Sequence, residues 1–395
     1  MIVTKAYKFR IYPTKVQAEL MAKHFGSTRF VWNYFLALRK DSYLENKKSL
    51  NYYDNAKILT LLKKDSELGW LKDINSQALQ ATLKDLDTAY GRFFKKQAMF
   101  PKFKSKFKSV DSFRCPQSVG IRDGKLFIPK LREGIKIKIH REIVGKILFA
   151  TISRTPTGKH FASITCETEH TALPGTDKEI GIDLGIKDLA ICSDGKVFKN
   201  PKITNKHAKK LAYEQRQLSK KEKGSGKRNK QRKKVATVHE TIKNTRLDNI
   251  HKVTHAIISE SKTVVVEDLY VKGMIKNHCL AKAIADVSWS ELTRQLEYKA
   301  QWSERNFIKI DRWFPSSKTC FECNFINQSL QLKDREWTCP QCGIVLDRDL
   351  NASKNILKQG LKILSGSGAD SDLKQKPRGG VWCLTESMKR EAQKR

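Results

Sequence analysis

Acidic residues are scarce in this sequence. The 395-residue chain carries 41 Asp and Glu against 77 Lys and Arg, a formal net charge of +36 at pH 7. Such an excess repels itself unless a polyanion is present, which points to nucleic acid and away from a small apolar metabolite. Long apolar runs are also missing. No stretch of 18 residues is apolar, so no segment is expected to span a bilayer. An amphipathic membrane helix or lipid anchor is not evident either. After Met1 the chain reads IVTKAYKFRIYPT, with neither the apolar core nor the small-residue cleavage site of a secretory signal. The cysteines number nine, an odd set with five scattered singly and four in two close pairs. That argues against a disulfide framework and for a reducing compartment, the cytoplasm or nucleoid. With 39% hydrophobic and 30% charged residues the chain reads as soluble and globular, and its length predicts two or three domains.

Along the chain, residues 1 to 12 alternate, with Tyr7, Phe9 and Ile11 set against Lys8, Arg10 and Tyr12. This is the pattern of a strand with one basic face. Pro13-Thr14 opens a helical region expected over about 14–98, where Val31, Tyr34, Phe35 and Leu38, and then Leu79, Leu83, Leu86 and Tyr90, recur at helical spacing. FPKFKSKFK (100–108) interleaves Phe100, Phe103 and Phe107 with lysines. It fits either a segment that contacts phosphates and bases or an edge strand with a solvated lysine face. Short alternating runs over 119–170, such as Ile135, Ile137 and Ile139 against Lys136, Lys138 and His140, predict an antiparallel β-barrel or sandwich. TALPGTDKE (171–179) reads as a linker. From Ile180 the pattern is strand, turn, strand, with Asp194-Gly195 as the hairpin turn. A polar helical region follows, broken by KKEKGSGKRNKQRKK (220–234), which predicts a flexible Gly-Ser-Gly break flanked by a phosphate-binding run or a solvated arm. SKTVVVEDL (261–269) and FIKIDRWFP (307–315) read as strands and DRDLNASKNILKQGL as a helix. Residues 363–395 read as a disordered basic tail.

Two constellations carry chemistry. Cys320-x2-Cys323 and Cys339-x2-Cys342, fifteen residues apart, have the spacing of a closed tetrahedral structural zinc site. A redox pair or an iron–sulfur centre would need a βαβ redox setting or ferredoxin spacing, and neither is present. Gly343 gives the second knuckle room to turn. The other constellation is acidic. Asp183 lies between Ile182 and Leu184 in an expected strand, Glu267 ends the run Val264-Val265-Val266, and Asp349 stands at the entry of the last helix. A carboxylate in an apolar strand is costly unless paired or given a cation. Hard oxygen ligands suit Mg²⁺ or Mn²⁺, and two such ions can clamp a phosphodiester for attack by water.

GIDLGIKDLA, VVVEDLYVKGM and DRDLNASKNIL, with the cysteine pairs just before the third, resemble the RuvC-like nuclease domain of the TnpB (OrfB) family of insertion-sequence proteins, a domain shared with type V CRISPR effectors. YKFRIYPT, SQALQATLKDLDTAY, FPKFKSK and NTRLDNIHK extend the resemblance over about 5–360. It implies a mixed α/β and β, multidomain fold. Residues 1–13 and 116–175 would form an OB-like wedge barrel and 14–115 a helical recognition subdomain. An RNase H-like (RuvC) domain would occupy 179–318 and 344–362, with a zinc ribbon inserted at 319–343. Asp183, Glu267 and Asp349 match the catalytic carboxylates; Asp347 competes with Asp349 and is better read as a cap, and Asp268 is expected to face away from Glu267. The implied activity is RNA-guided, metal-dependent cleavage of DNA by two-metal-ion hydrolysis beside a transposon-adjacent motif. The implied cofactors are one zinc and two Mg²⁺ or Mn²⁺. The implied partners are a guide RNA and double-stranded and displaced single-stranded DNA, with one protein per RNA. The competing reading is a non-catalytic, RNA-guided or direct DNA-binding regulator of transposition.

Overall fold

The computed structural model describes residues 2–106, 109–170, 173–331 and 333–366. The expected tail lies outside them from residue 367 on, as do Phe107 and Lys108. The chain divides into two compact units, Ile2–Glu169 and the remainder from His170.

The first unit begins with β1 (Ile2–Tyr12), followed by the helices α1 (Lys15–Asn46), α2 (Tyr52–Leu62) and α3 (Ser76–Phe94). Six further strands complete its sheet: β2 (Asp111–Cys115), β3 (Gly120–Arg122), β4 (Lys125–Ile128), β5 (Leu131–Lys138), β6 (Lys146–Arg154) and β7 (His160–Glu169). The strands join in the order β2-β6-β7-β1-β5-β4-β3. Tyr7, Phe9 and Ile11 are buried, as the alternation of β1 requires. The N-terminus of α1 is closed by a capping box in which Thr14 and Gln17 bond each other's backbone N–H.

Three expectations for this unit need correction. Residues 111–115 are not helical: Phe113 and Cys115 alternate into the sheet core, a period of two over too few residues for a helix to compete. A closed barrel is not found among the described residues, because β2 pairs only with β6 and the three-residue β3 only with β4, leaving two edges. The segment at 100–105 is no edge strand. Asn33 Nδ2 donates to Lys104 O and Asn33 Oδ1 accepts from Lys104 N, both at 2.8 Å, so one side chain satisfies the backbone that a neighbouring strand would otherwise pair. Trp32 Nε1 donates to Lys102 O at 3.0 Å, and the Lys104 ammonium sits 3.8 Å from the centre of the Trp32 ring.

The second unit holds β8 (Glu179–Asp183), β9 (Asp188–Cys192), β10 (Val197–Lys199), β11 (Thr263–Glu267) and β12 (Asn306–Ile310) in one sheet. Its order is β10-β9-β8-β11-β12; β8, β11 and β12 run parallel, and β9 and β10 are antiparallel additions. Gly195 supplies the positive φ of the expected hairpin, at +87°. The helices are α4 (Ile203–Ser219), α5 (Gly226–Glu260), α6 (Val271–Met274), α7 (Ala281–Val287), α8 (Trp289–Trp302) and α9 (Arg348–Leu364). The short hairpin β13 (Glu336–Thr338) with β14 (Val345–Asp347) precedes α9. One sheet face packs Ile182, Val264, Val266 and Phe307 with Ile257, Leu292 and Leu296 of α5 and α8. The other packs Val265, Ile308 and Ile310 with Ile356 of α9. A sheet covered on both faces explains why β11 reads as an unbroken apolar run. The Gly-Ser-Gly break is a fixed turn instead of a loose one. Ser225 caps α5 through Arg228 N at 3.1 Å, and the Arg228 guanidinium holds the carbonyls of Leu218 and Lys221. The basic run at 227–234 therefore forms the first turns of α5. Among the described residues no helix is long and apolar enough to cross a membrane.

Candidate active site and metal centre

Asp183 and Glu267 end two adjacent parallel strands. The register pairs Ile182 with Val266, so the next residues, Asp183 and Glu267, stand side by side on one face at the carboxyl edge of the sheet. This edge is where open α/β sheets place their ligands. Asp349 arrives from α9, which lies against β8 at close range. A Cβ on Gly181 would stand 2.2 Å from Ser353 O and 2.6 Å from Leu357 N, so glycine is what permits the approach. Gly360 does the same against Val265, at 2.4 Å from Cγ1.

The three carboxylates feel one another. Burial pushes the Asp183 carboxyl up, repulsion from Glu267 and Asp349 adds to it, and Arg348 and the Leu184 N–H offset only part, leaving it at about 7. Burial also raises Glu267, while the Ser316 hydroxyl, which donates to Oε1, partly offsets the rise. Asp349 is held by Arg335 at 3.2 Å and Arg348 at 3.8 Å. Asp347 is the N-cap of α9, its Oδ1 accepting from Leu350 N at 2.8 Å, the cap role anticipated for it. Asp268 is engaged by the Arg312 guanidinium, and its N–H bonds Ile310 O at 3.2 Å. Ser316, Arg335, Arg348 and Arg312 went unmarked in the sequence, since nothing in their spacing sets them apart. Asn351 and Asn355 did leave a signal, as polar residues four apart on the buried face of an amphipathic helix. Both donate to Thr319 O, at 2.7 and 2.6 Å, and Asn355 also to Ser316 O at 2.9 Å. They bind the segment that carries Ser316 to the helix that carries Asp349.

The four cysteines are brought together. Their Sγ atoms all lie within 4.8 Å of one another, with Cys320 and Cys342 at 3.7 Å and Cys323 and Cys339 at 3.5 Å. The two knuckles repeat one backbone geometry. Asn324 N bonds Cys320 O and Gly343 N bonds Cys339 O, both at 2.9 Å. Cys320 N bonds Phe325 O at 2.8 Å and Cys339 N bonds Ile344 O at 2.9 Å. Asn324 and Gly343 take the same left-handed turn, with φ of +62° and +73°. Burial alone would raise the Cys339 thiol, but N–H groups of Cys342 and Gln341 and the neighbouring thiols outweigh it and bring it down to about 7. At Cys323 the Phe325 N–H lowers the thiol, but burial and the neighbouring thiols outweigh it and push it the other way, up to about 12, as expected of sulfurs that share protons. A four-sulfur cage of this size fits a tetrahedral zinc. Among the described residues no other group of three or more Cys, His, Asp or Glu gathers its ligand atoms within 4.8 Å, so Asp183, Glu267 and Asp349 are more widely set than the cysteine cage.

Fold and site together define an α/β protein with a repelling carboxylate cluster at the carboxyl edge of parallel strands and a four-cysteine ribbon beside it. The chain belongs to the TnpB (OrfB) family of insertion-sequence proteins. The family model described as "Probable transposase" (OrfB, IS605) matches residues 163–278, and a Cas12f1-like TNB domain model matches 289–356. A helix-turn-helix domain model matches 1–48, although the described residues there form one strand and one long helix. The "Putative RNA-guided DNA endonuclease" of Streptomyces pristinaespiralis is 41% identical over 362 residues, covering 91% of this chain and 90% of its own. The "Putative RNA-guided DNA endonuclease InsQ" of Escherichia coli (strain K12) is 34% identical over 394 residues, covering 94% and 97%. A cryo-EM structure of a Cas12f1–sgRNA–target DNA complex aligns over 90% of this chain and 99% of its own, at 14% identity and a TM-score of 0.36, a likeness too slight to carry any conclusion.

Proposed function

We propose that this chain is an RNA-guided, metal-dependent DNA endonuclease encoded by a transposable element. The observation that carries the reading is the grouping of Asp183, Glu267 and Asp349 at the carboxyl edge of the parallel strands, where burial and then repulsion from the other two raise Asp183 to about 7 in a protein of +36 net charge. Membership in a family whose relatives are named RNA-guided DNA endonucleases supports the same reading. The strand order β10-β9-β8-β11-β12, three antiparallel strands followed by two parallel ones, is the order expected of an RNase H-like core. It supports a RuvC-like domain over 179–318 and 344–362 interrupted by a zinc ribbon at 319–343. In the first unit, 1–13 and 116–175 read as wedge and 14–115 as a recognition region.

In this reading Asp183, Glu267 and Asp349 would together hold two divalent cations. Mg²⁺ or Mn²⁺ would relieve the repulsion among them. Two such ions, when bound, supply charge stabilisation on both the attacking and leaving oxygens of a phosphodiester. The protein's own groups set the geometry. Ser316 orients Glu267, Arg335 and Arg348 hold Asp349, and Asp347 fixes the start of α9. One zinc on Cys320, Cys323, Cys339 and Cys342 would be structural, since four thiolates leave no open position. Partners are a guide RNA and target DNA, first double-stranded and then with one strand displaced, on one protein copy per RNA, at the nucleoid of a prokaryotic-type cell. The test is to sequence the RNA that co-purifies with the chain and assay Mg²⁺-dependent cutting of DNA matched to it. A defined RNA and matched cutting are expected; no bound RNA, or no cutting of matched DNA, would overturn the reading.

A further inference from the structure

The turn after β12, which begins at the strand partner of Glu267, presents a tryptophan to solvent. Trp313 is 84% exposed. A single exposed apolar side chain needs no explanation by itself, but this one follows an arginine in the chain and stands on a turn whose backbone is pinned. Its backbone N–H donates to Asp311 Oδ1 at 2.8 Å, and the next residue, Phe314, is packed into the cluster of Val265, Ile308, Ile310 and Ile356. The turn starts at Ile310, the register partner of Glu267, and returns at Ser316, which bonds Glu267. Trp313 is three residues from each end, so its Cα is within roughly 11 Å of both anchor points. Arg312, its neighbour, pairs with Asp268 and lies 5.5 Å from the centre of the Tyr270 ring. Tyr270 is itself 55% exposed, and the absence of a side chain on Gly273, where a Cβ would stand 2.4 Å from Tyr270 Cδ1, leaves room for that ring.

We infer that Trp313, next in the chain to Arg312, is a stacking platform that receives an unpaired base of the DNA strand led to Asp183, Glu267 and Asp349. A base has a π-face whatever its identity, so such a platform positions a single strand without reading its sequence. Arg312, paired with Asp268, adds a planar guanidinium on the preceding residue. An unstacked nucleotide held here would be followed along its backbone by a phosphate within reach of the carboxylates. Trp313 acts on the reaction by positioning the strand.

The inference rests on the nuclease reading for its consequence but can be tested apart from it. In complexes of the full chain with its RNA, Trp313→Ala should slow cutting of matched DNA on the order of 10-fold, the loss of one stacked base. Trp313→Phe should retain most of the rate, and guided binding of the same DNA should be unchanged in both. Since Trp313 is exposed, its thermal midpoint should not move. A second measurement needs no catalysis: with chelator present, a short oligodeoxythymidine should quench tryptophan fluorescence in the wild type and markedly less in Trp313→Phe. Wild-type cutting by Trp313→Ala, equal impairment in the Ala and Phe variants, or quenching that is the same in Trp313→Phe would each overturn the platform. If the wild type does not cut at all, the nuclease reading fails and the quenching comparison alone decides this one.

Discussion

At the scale of single residues, Asp183 ties stability to pH. Its carboxyl is raised from the ordinary 3.8 to about 7. Between those values the folded chain keeps a proton that the unfolded chain releases, so stability is greatest at the low end and falls as pH rises through the window. Chelated protein unfolded by denaturant at about pH 5 and about pH 8 should therefore lose more stability than Asp183→Asn does, and added Mg²⁺ should recover part of the loss at the higher pH. Equal pH dependence in both proteins would contradict the burial and repulsion assigned to Asp183. Asp347 offers the contrast. Asp347→Ala should cost about 1 kcal/mol through the lost cap and leave most of the cutting intact, because Asp347 serves the α9 N-terminus. The three carboxylates were legible in the sequence because each stands in an apolar strand or at a helix entry within a recognisable motif. Their helpers were not, since Ser316, Arg335 and Arg348 acquire their roles only when distant segments fold together.

At the scale of elements, the site depends on how close α9 comes to the sheet. Gly181→Ala would push a Cβ against the backbone of Ser353 and Leu357, which cannot yield as a side chain tip can. It should destabilise the second unit by about 1–3 kcal/mol and lower cutting by displacing Asp349, an effect read from denaturant unfolding and cleavage rates together. The ribbon works in the same direction through Asn351 and Asn355. Cys320→Ser should release about one zinc per chain, measured by metal analysis, and loosen the contact of 316–321 with α9. A wild type that folds fully without zinc would contradict this. β1, β8 and β11 were readable from alternation or an apolar run. The segment at 100–105 misled because aromatic–basic alternation imitates a strand, whereas the backbone there is satisfied by the Asn33 amide. The left-handed turn of Asn324 was hidden for a similar reason: glycine at 343 advertises a positive φ, and asparagine adopts it without the same signature.

At the scale of the whole molecule, the +36 charge favours a polyanionic partner. Affinity for nucleic acid should fall by roughly 10³-fold or more between about 50 and about 200 mM salt if six or more phosphates are neutralised, and a flat response would contradict the electrostatic footprint. Charge reversal at 227–234, now seen as the first turns of α5, should weaken RNA binding if that helix end is a contact surface. The division of labour proposed here assigns binding to this basic surface and cutting to three carboxylates. The measurement that tests it most directly compares Asp183→Asn with Asp347→Asn, an exchange that preserves a good N-cap, in RNA-loaded protein on matched DNA with Mg²⁺. Asp183→Asn should bind the DNA as the wild type does and cut it slower by several orders of magnitude, about 10³-fold or more, while Asp347→Asn should cut at close to the wild-type rate. Persistent cutting by Asp183→Asn, or loss of cutting in Asp347→Asn with Asp183→Asn active, would contradict the assignment of the site.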